Sequence, residues 1–349
     1  MKKMLMFAVC FLAVLSVVVA KDSGGNGAAS IVNSVNSDPA STWKAGHNNA
    51  IPVDQANFGR LMGLLPRNRN AFKFAPIKYR ASANNNNVNA ITDELPERFD
   101  ARERWPMCNS VIAPIKDQSN CGSCWAVSAA SVFSDRLCIA SGGAVAKNLS
   151  AEHLNNCCYR CGHGCDGGFP EGAWAFFARH GIVTGGAYGS NEGCQPYSIY
   201  SCGRNGKRCI DKDPDTPECA VKTCSNSKYT GDYRADLHYV KEAYSLPNSE
   251  EEIMAEIYKH GPVQAGFYVY TDFMYYKSGI YRYTRGEIEG GHAIKIIGWG
   301  AENGTKYWLC ANSWTEYWGE KGLFRIIRGQ DECDIEGRVL AGLPRVPVQ

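Results

Sequence analysis

Sixteen cysteines in 349 residues restrict the folds open to this chain more than any other feature. That density points to an oxidising compartment, where cross-links hold segments that packing alone would not. The N-terminus agrees. Lys2 and Lys3 form a basic start, Leu5 to Val19 is apolar, and Val18-x-Ala20 offers a small-residue cleavage site. Residues 1–20 therefore read as a signal peptide; as a membrane anchor the apolar run is short, and no stable anchor is expected. Cys10 leaves with the signal, and the fifteen that remain are odd in number, so at least one stays unpaired within the chain. The cluster Cys157-Cys158-x-x-Cys161-x-His163-x-Cys165 has spacing that zinc would also accept, but secretion favours bridges, and no metal or other cofactor is expected. Asn148-Leu149-Ser150 and Asn303-Gly304-Thr305 are glycosylation acceptors in keeping with secretion. With Lys+Arg 37 against Asp+Glu 35, the net charge of +2 gives no reason to expect a nucleic-acid partner.

Residues 21–94 form a separate segment without cysteine, in which basic residues outnumber acidic ones. It ends in an asparagine-rich stretch, Asn84 to Asn89, that reads as an exposed linker. Trp43, Phe58, Leu61, Met62, Leu64 and Leu65 are apolar enough to require docking, which favours a pro-segment over a disordered extension. From Leu95 the pattern is that of a compact body. Residues 124–141 fit a helix buried on most sides, stopped by Gly142-Gly143. A second helix runs from Glu171 to His180 after Pro170, and a third over 250–260, opened by a capping box of Ser249 and Glu252. After Gly261-Pro262 strands follow: Val263 to Val269, Ala293 to Gly298, Lys306 to Ala311 and Gly322 to Ile327. Helices first and strands later indicate an α+β fold.

Two places carry chemistry. Gln118-Ser119-Asn120-Cys121-Gly122-Ser123-Cys124-Trp125 sets a thiol at the first turn of a helix, where unpaired N–H groups and the macrodipole favour a thiolate nucleophile. Gln118 is placed to aim its amide, beside the Cys124 N–H, at a developing oxyanion. Gly290-Gly291-His292-Ala293 opens a strand, and the Asn303-Gly304 hairpin returns the chain to Ala311-Asn312-Ser313-Trp314. The Asn312 oxygen can then orient the His292 ring toward the thiol, with Trp314 as a cover. A tight turn at 303–304 pairs residues that place His292 opposite Thr315, about 10 Å from Asn312 along the strand, so a bulge or a diagonal reach is needed.

With Cys124, His292 and Asn312 in this order, the chain resembles the papain-like cysteine proteases, most of all the cathepsin B group. Thr42-Trp43-Lys44-Ala45-Gly46-His47-Asn48 is similar to the propeptide of that group, and Leu95-Pro96-x-x-Phe99-Asp100-Ala101-Arg102 to its mature start. The resemblance implies a two-subdomain fold, a helical left domain and a β-barrel-like right domain with the cleft between them, behind an N-terminal propeptide. It implies a peptidase domain over 95–349, its helical part about 107–230 and its β part about 231–340. His292 and Asn312 follow Cys124 by 168 and 188 residues, more than the family spacing, and the excess matches Cys194 to Cys224, which resembles the occluding loop. In that loop Gly203-Arg204-Asn205-Gly206-Lys207-Arg208 replaces the group's His-His pair, which puts dipeptidyl carboxypeptidase activity in question; Arg204, Lys207 or Arg208 can receive a carboxylate instead or be solvated charges. Asp211-x-Asp213-x-Asp215 lacks the glycine and glutamate of a calcium loop.

The resemblance further implies bridges Cys108–Cys138, Cys121–Cys165, Cys157–Cys219, Cys158–Cys161, Cys194–Cys224 and Cys202–Cys209, leaving Cys124, Cys310 and Cys333 free. It makes Cys124, His292, Asn312 and Gln118 catalytic. Gly167 and Gly168 match the S1 wall, Pro170 and Ala293 the S2 wall, and Arg338 the bottom of S2, where the group has a glutamate. Gly122, Ser123, Trp125, Gly291 and Trp314 complete the substrate-binding set. Weaker preference for Arg at P2, with tolerance of apolar or acidic residues, follows. Expected partners are protein and peptide substrates, the chain's own propeptide as an intramolecular inhibitor, and cystatin-type inhibitors, acting on a monomer that travels to a lysosome or acidic endosome-like compartment or is secreted. Two other classes fit less of the sequence: a silent homologue serving as a binding module, against which all four active-site positions stand intact, and a disulfide-exchange protein built on Cys121-x-x-Cys124, which leaves His292 and Asn312 unexplained.

Overall fold

The computed structural model describes residues 26–48, 55–66, 78–79, 95–200 and 215–346. The signal segment, the asparagine-rich linker, Cys202, Cys209 and the basic and acidic positions between 203 and 213 lie outside the described residues.

Two hydrophobic cores divide the body. The first is built on the helix Cys124–Ala140, whose residues Cys124 to Cys138 are all buried, packed by Trp174 and Phe177 of the helix Pro170–Arg179. This helix was expected to be buried on most sides, and it is, because neighbouring helices and strands pack against it. Its end is set by Gly142 and Gly143, both left-handed at φ 62 and 91, a conformation that costs glycine little. The third expected helix, Glu250–His260, starts at Ser249, whose hydroxyl accepts from the Glu252 N–H at 3.3 Å. The Ser249 N–H goes to the Pro247 carbonyl, so that half of the capping box is supplied by backbone.

The second core belongs to a sheet running, neighbour to neighbour, through Trp43–Ala45, Tyr276–Tyr281, Leu323–Ile327, Thr305–Ala311, Ile288–Glu302, Val263–Tyr270, Val339–Pro344 and Val240–Ser245. Patterning at the sequence level found four of these. It missed Trp43–Ala45, Val240–Ser245, Tyr276–Tyr281 and Val339–Pro344, whose short mixed runs owe their form to partners far away in the chain. The hairpin at Asn303-Gly304 has φ 50 and 77, the two left-handed residues that a tight strand reversal requires.

The pairing from this turn holds as far as Gly298 opposite Leu309, then slips, so that Ile296 faces Cys310 and Lys295 faces Ala311. The slip falls where Phe99–Asp100 pairs on the other side of Gly298, so close that a Cβ on Gly298 would sit 2.1 Å from the Phe99 carbonyl. A bulge was needed to bring His292 toward Asn312, and it recovers one residue of the offset; a diagonal reach supplies the rest.

Five of the six implied bridges are closed: Cys108–Cys138, Cys121–Cys165, Cys157–Cys219, Cys158–Cys161 and Cys194–Cys224. They use up the cluster that zinc would have taken, and among the described residues no group of His, Cys, Asp or Glu is arranged to hold a metal. Cys124, Cys310 and Cys333 are free. Among the described residues no helix is long and apolar enough to cross a membrane.

The pro-segment docks on the body at several places, among them Lys78–Tyr79, which pairs in parallel with Tyr244 and Ser245. Helix Asn26–Ser37 packs beside Trp43–Ala45, which adds an antiparallel edge to Tyr276–Tyr281. Trp43 buries its ring 5.1 Å from that of Tyr281, and its Nε1 donates to Thr284 Oγ1 at 3.3 Å. A 3₁₀ turn, Gln55–Leu61, then leads residues 61–66 between the two cores.

Candidate active site

Cys124 is the first residue of its helix and has no exposed surface. It lies against Ala293 from the sheet and Leu64 from the pro-segment. His292 sits opposite Phe267 on the neighbouring strand, and its ring lies 4.8 Å from Trp314. Its Nε2 meets Asn312 Oδ1 at 2.8 Å, and the same oxygen accepts from the Ser313 N–H at 2.8 Å. An oxygen acceptor at Nε2 requires the proton there, which leaves Nδ1 as the basic nitrogen of the neutral ring.

Gln118 is buried beside this pair. Its Nε2 donates to the Leu61 carbonyl at 3.0 Å and to the Cys121 carbonyl at 2.8 Å. Its Oε1 accepts from Ser313 Oγ at 2.7 Å, which fixes the amide with the nitrogen toward the cleft. Ser313 was missed by sequence reasoning, although it stands next to Asn312. Only the fold brings it to a residue 195 positions away.

The pro-segment crosses this site as a backbone strand. Leu64 N–H donates to the Gly291 carbonyl at 2.9 Å, Gly168 N–H to the Gly63 carbonyl at 2.9 Å, and Leu65 N–H to the Gly168 carbonyl at 3.1 Å. Phe58 meets Trp314 edge to face at 5.3 Å. Gly167 has φ 103 and lets the Gly63 backbone approach, and a Cβ on Gly168 would lie 2.5 Å from the Trp125 ring, so that glycine makes room for the indole. Ser123 Oγ bonds Tyr197 Oη at 2.7 Å, and Pro170 starts its helix without an N–H to leave unpaired. Arg338 forks onto Glu171 at 2.9 and 2.6 Å and donates its remaining end to the Leu65 carbonyl at 2.8 Å. Glu171 was not singled out from the sequence.

Burial governs the charge state. It pushes the Cys124 thiol up to about 11, against backbone hydrogen bonds from Ala293 and Gly63 that favour the thiolate. Burial pulls His292 down to about 4, against Asn312 and the Leu61 backbone, which favour the charged ring. With the pro-segment seated, burial therefore favours the neutral thiol and the neutral imidazole.

A thiol at a helix start, an asparagine-held histidine from the opposing sheet and a buried glutamine amide are the makings of acyl transfer by sulfur, on a helical half joined to a sheet half. The chain belongs to the papain family of cysteine proteases: the family's sequence model matches residues 95–343. Within that family it is a cathepsin B-like cysteine peptidase. Cathepsin B-like cysteine proteinase 4 of Caenorhabditis elegans is 51% identical over 259 residues, 73% of this chain and 77% of that protein. A cathepsin B-like cysteine proteinase of Schistosoma japonicum is 45% identical over 324 residues, 90% of each. Among solved structures, procathepsin B S9 from Trypanosoma congolense superposes with a TM-score of 0.76 at 37% identity, covering 93% of this chain and 98% of that one. A recombinant stem bromelain precursor shares the fold, with a TM-score of 0.65 at 22% identity, covering 93% of this chain and 90% of that one.

Proposed function

We propose that the chain is made as a latent secretory zymogen, with residues 1–20 as signal and 21–94 as propeptide, and that its mature part from about 95 cleaves peptide bonds through Cys124 and His292. The Cys124 thiolate attacks the scissile carbonyl, and the carbon–sulfur bond forms as the carbonyl oxygen takes the negative charge. Gln118 Nε2 and the Cys124 N–H hold that oxygen. His292, oriented by Asn312, gives its proton to the leaving amine, and water then releases the acid from the thioester. The observation that carries this reading is the Leu61 carbonyl. It accepts from Gln118 Nε2 at 3.0 Å beside His292, where an oxyanion would sit, and so occupies the donor that the reaction needs.

Latency follows from the same contact. The propeptide fills the cleft, takes the oxyanion donor and keeps the thiol protonated. Removing it admits water, and the proton passes from sulfur to imidazole. Endopeptidase activity is the main reading, with dipeptidyl carboxypeptidase activity dependent on residues 203–208. Delivery to a lysosome, an acidic endosome-like compartment or the exterior, a monomeric state and control by cystatin-type inhibitors accompany it. Cys124→Ala abolishes peptide turnover and labelling by an epoxide thiol reagent in the activated enzyme. Turnover that survives the substitution refutes the assignment of the nucleophile.

A further inference from the structure

The pocket beside the nucleophile is already occupied, and its occupant and charged wall together define a specificity element. Leu64 enters between Ala293 and Gly266; a Cβ on Gly266 would lie 2.6 Å from the Leu64 side chain and 3.4 Å from Arg338 Cδ. Leu64 and the stem of Arg338 therefore share one cavity. The guanidinium at its end is not available as an isolated cation. Nε and Nη2 are committed to both oxygens of Glu171, with the two side chains 7% and 16% exposed. Nη1 is committed to the backbone of the occupant at Leu65. Two-pronged pairing of this kind fixes both groups in place and cancels their charge toward the pocket. The cleft is partly dehydrated when filled, which makes any uncancelled charge count for more.

We propose that Glu171 is a specificity-determining residue, which neutralises Arg338 and so makes this pocket select a leucine-sized apolar P2 side chain over acidic and basic ones. The inference rests on the cleavage reading above. An arginine alone at this place would draw in a P2 carboxylate, and a glutamate alone a P2 guanidinium. Paired, each cancels the preference the other would impose. The leucine that the propeptide supplies is then the side-chain type the pocket fits.

The test compares the activated wild type with Glu171→Gln and Arg338→Gln on three fluorogenic peptides alike except for Leu, Glu or Arg at P2. Wild type cuts the Leu peptide best. Glu171→Gln raises the Glu-to-Leu ratio of kcat/KM by roughly tenfold or more, the effect of one charged hydrogen bond gained, and Arg338→Gln raises the Arg-to-Leu ratio to a similar extent. Ratios that stay within about twofold of wild type in the variants overturn the inference. If one variant does not fold, the other decides. If neither folds, the pair is a structural strut and the inference fails as well. A wild-type enzyme that cuts none of the three peptides overturns the cleavage reading instead, so the two failures are distinct.

Discussion

Gly63→Ala should open the latent form. A Cβ at this position would lie 1.7 Å from the Gly122 carbonyl oxygen and 2.3 Å from its carbon. The opposing loop cannot retreat easily, because Cys121 is bridged to Cys165 and the Gly122 N–H is bonded to the Cys165 carbonyl at 2.8 Å. The pro-segment must lift instead. Lifting it exposes Leu64, a loss of about 2 kcal/mol. It also breaks the Gly63–Gly168 and Leu64–Gly291 hydrogen bonds, about 1 kcal/mol each. A total near 4 kcal/mol raises the open population by roughly a hundredfold to a thousandfold. The assay is alkylation of Cys124 by iodoacetamide at neutral pH, read by mass spectrometry on the unprocessed chain alone, so that processed enzyme does not contribute. Gly59→Ala is the control, since its nearest foreign atom lies at 3.4 Å, ordinary contact. Labelling of Gly63→Ala at the wild-type rate would refute the reasoning that contact with Gly122 seats the propeptide.

The intact zymogen should show no Cys124-dependent thiolate absorbance between pH 5 and 8, because burial raises the thiol to about 11 and lowers the imidazole to about 4, leaving both neutral across that window. The activated enzyme should show it there, and equal absorbance in the two forms would contradict the account of latency. Ser313→Ala frees the Gln118 amide to turn, and kcat should fall roughly tenfold with little change in KM; an unchanged kcat removes Ser313 from this role. Arg136 and Glu256 are paired at 2.9 Å at almost no exposure, and the guanidinium also holds the Pro262 and Gly261 carbonyls. Arg136→Met should therefore cost about 3–5 kcal/mol in urea unfolding of the Cys124→Ala chain, by stranding a buried carboxylate, and a loss below about 1 kcal/mol would show that the pair is dispensable.

Much of the site could be read from local pattern. Cys124 announces itself by preceding an unbroken apolar run, and Asn303-Gly304 announces the hairpin that carries His292 and Asn312 back alongside each other. The missed strands lacked such signals. Val240–Ser245 and Val339–Pro344 pair with each other across about a hundred residues of chain, so neither needs a strong propensity of its own. The pairing of the cysteines came from likeness to a family, since spacing alone admits many connectivities.

Periodicity, turn residues and a thiol before a helix are local properties, so the chain carries them whatever surrounds it. They determined the main helices, four of the strands and the side chains proposed to carry the chemistry. Contacts between remote segments are decided by packing. Phe99 against Gly298 accompanies the slip that draws His292 toward Asn312, Ser313 turns Gln118 toward the cleft, and Glu171 meets Arg338. The charge on Cys124 and His292 belongs to this second group, because the dielectric around them is set by a propeptide strand that tertiary structure lays across the cleft.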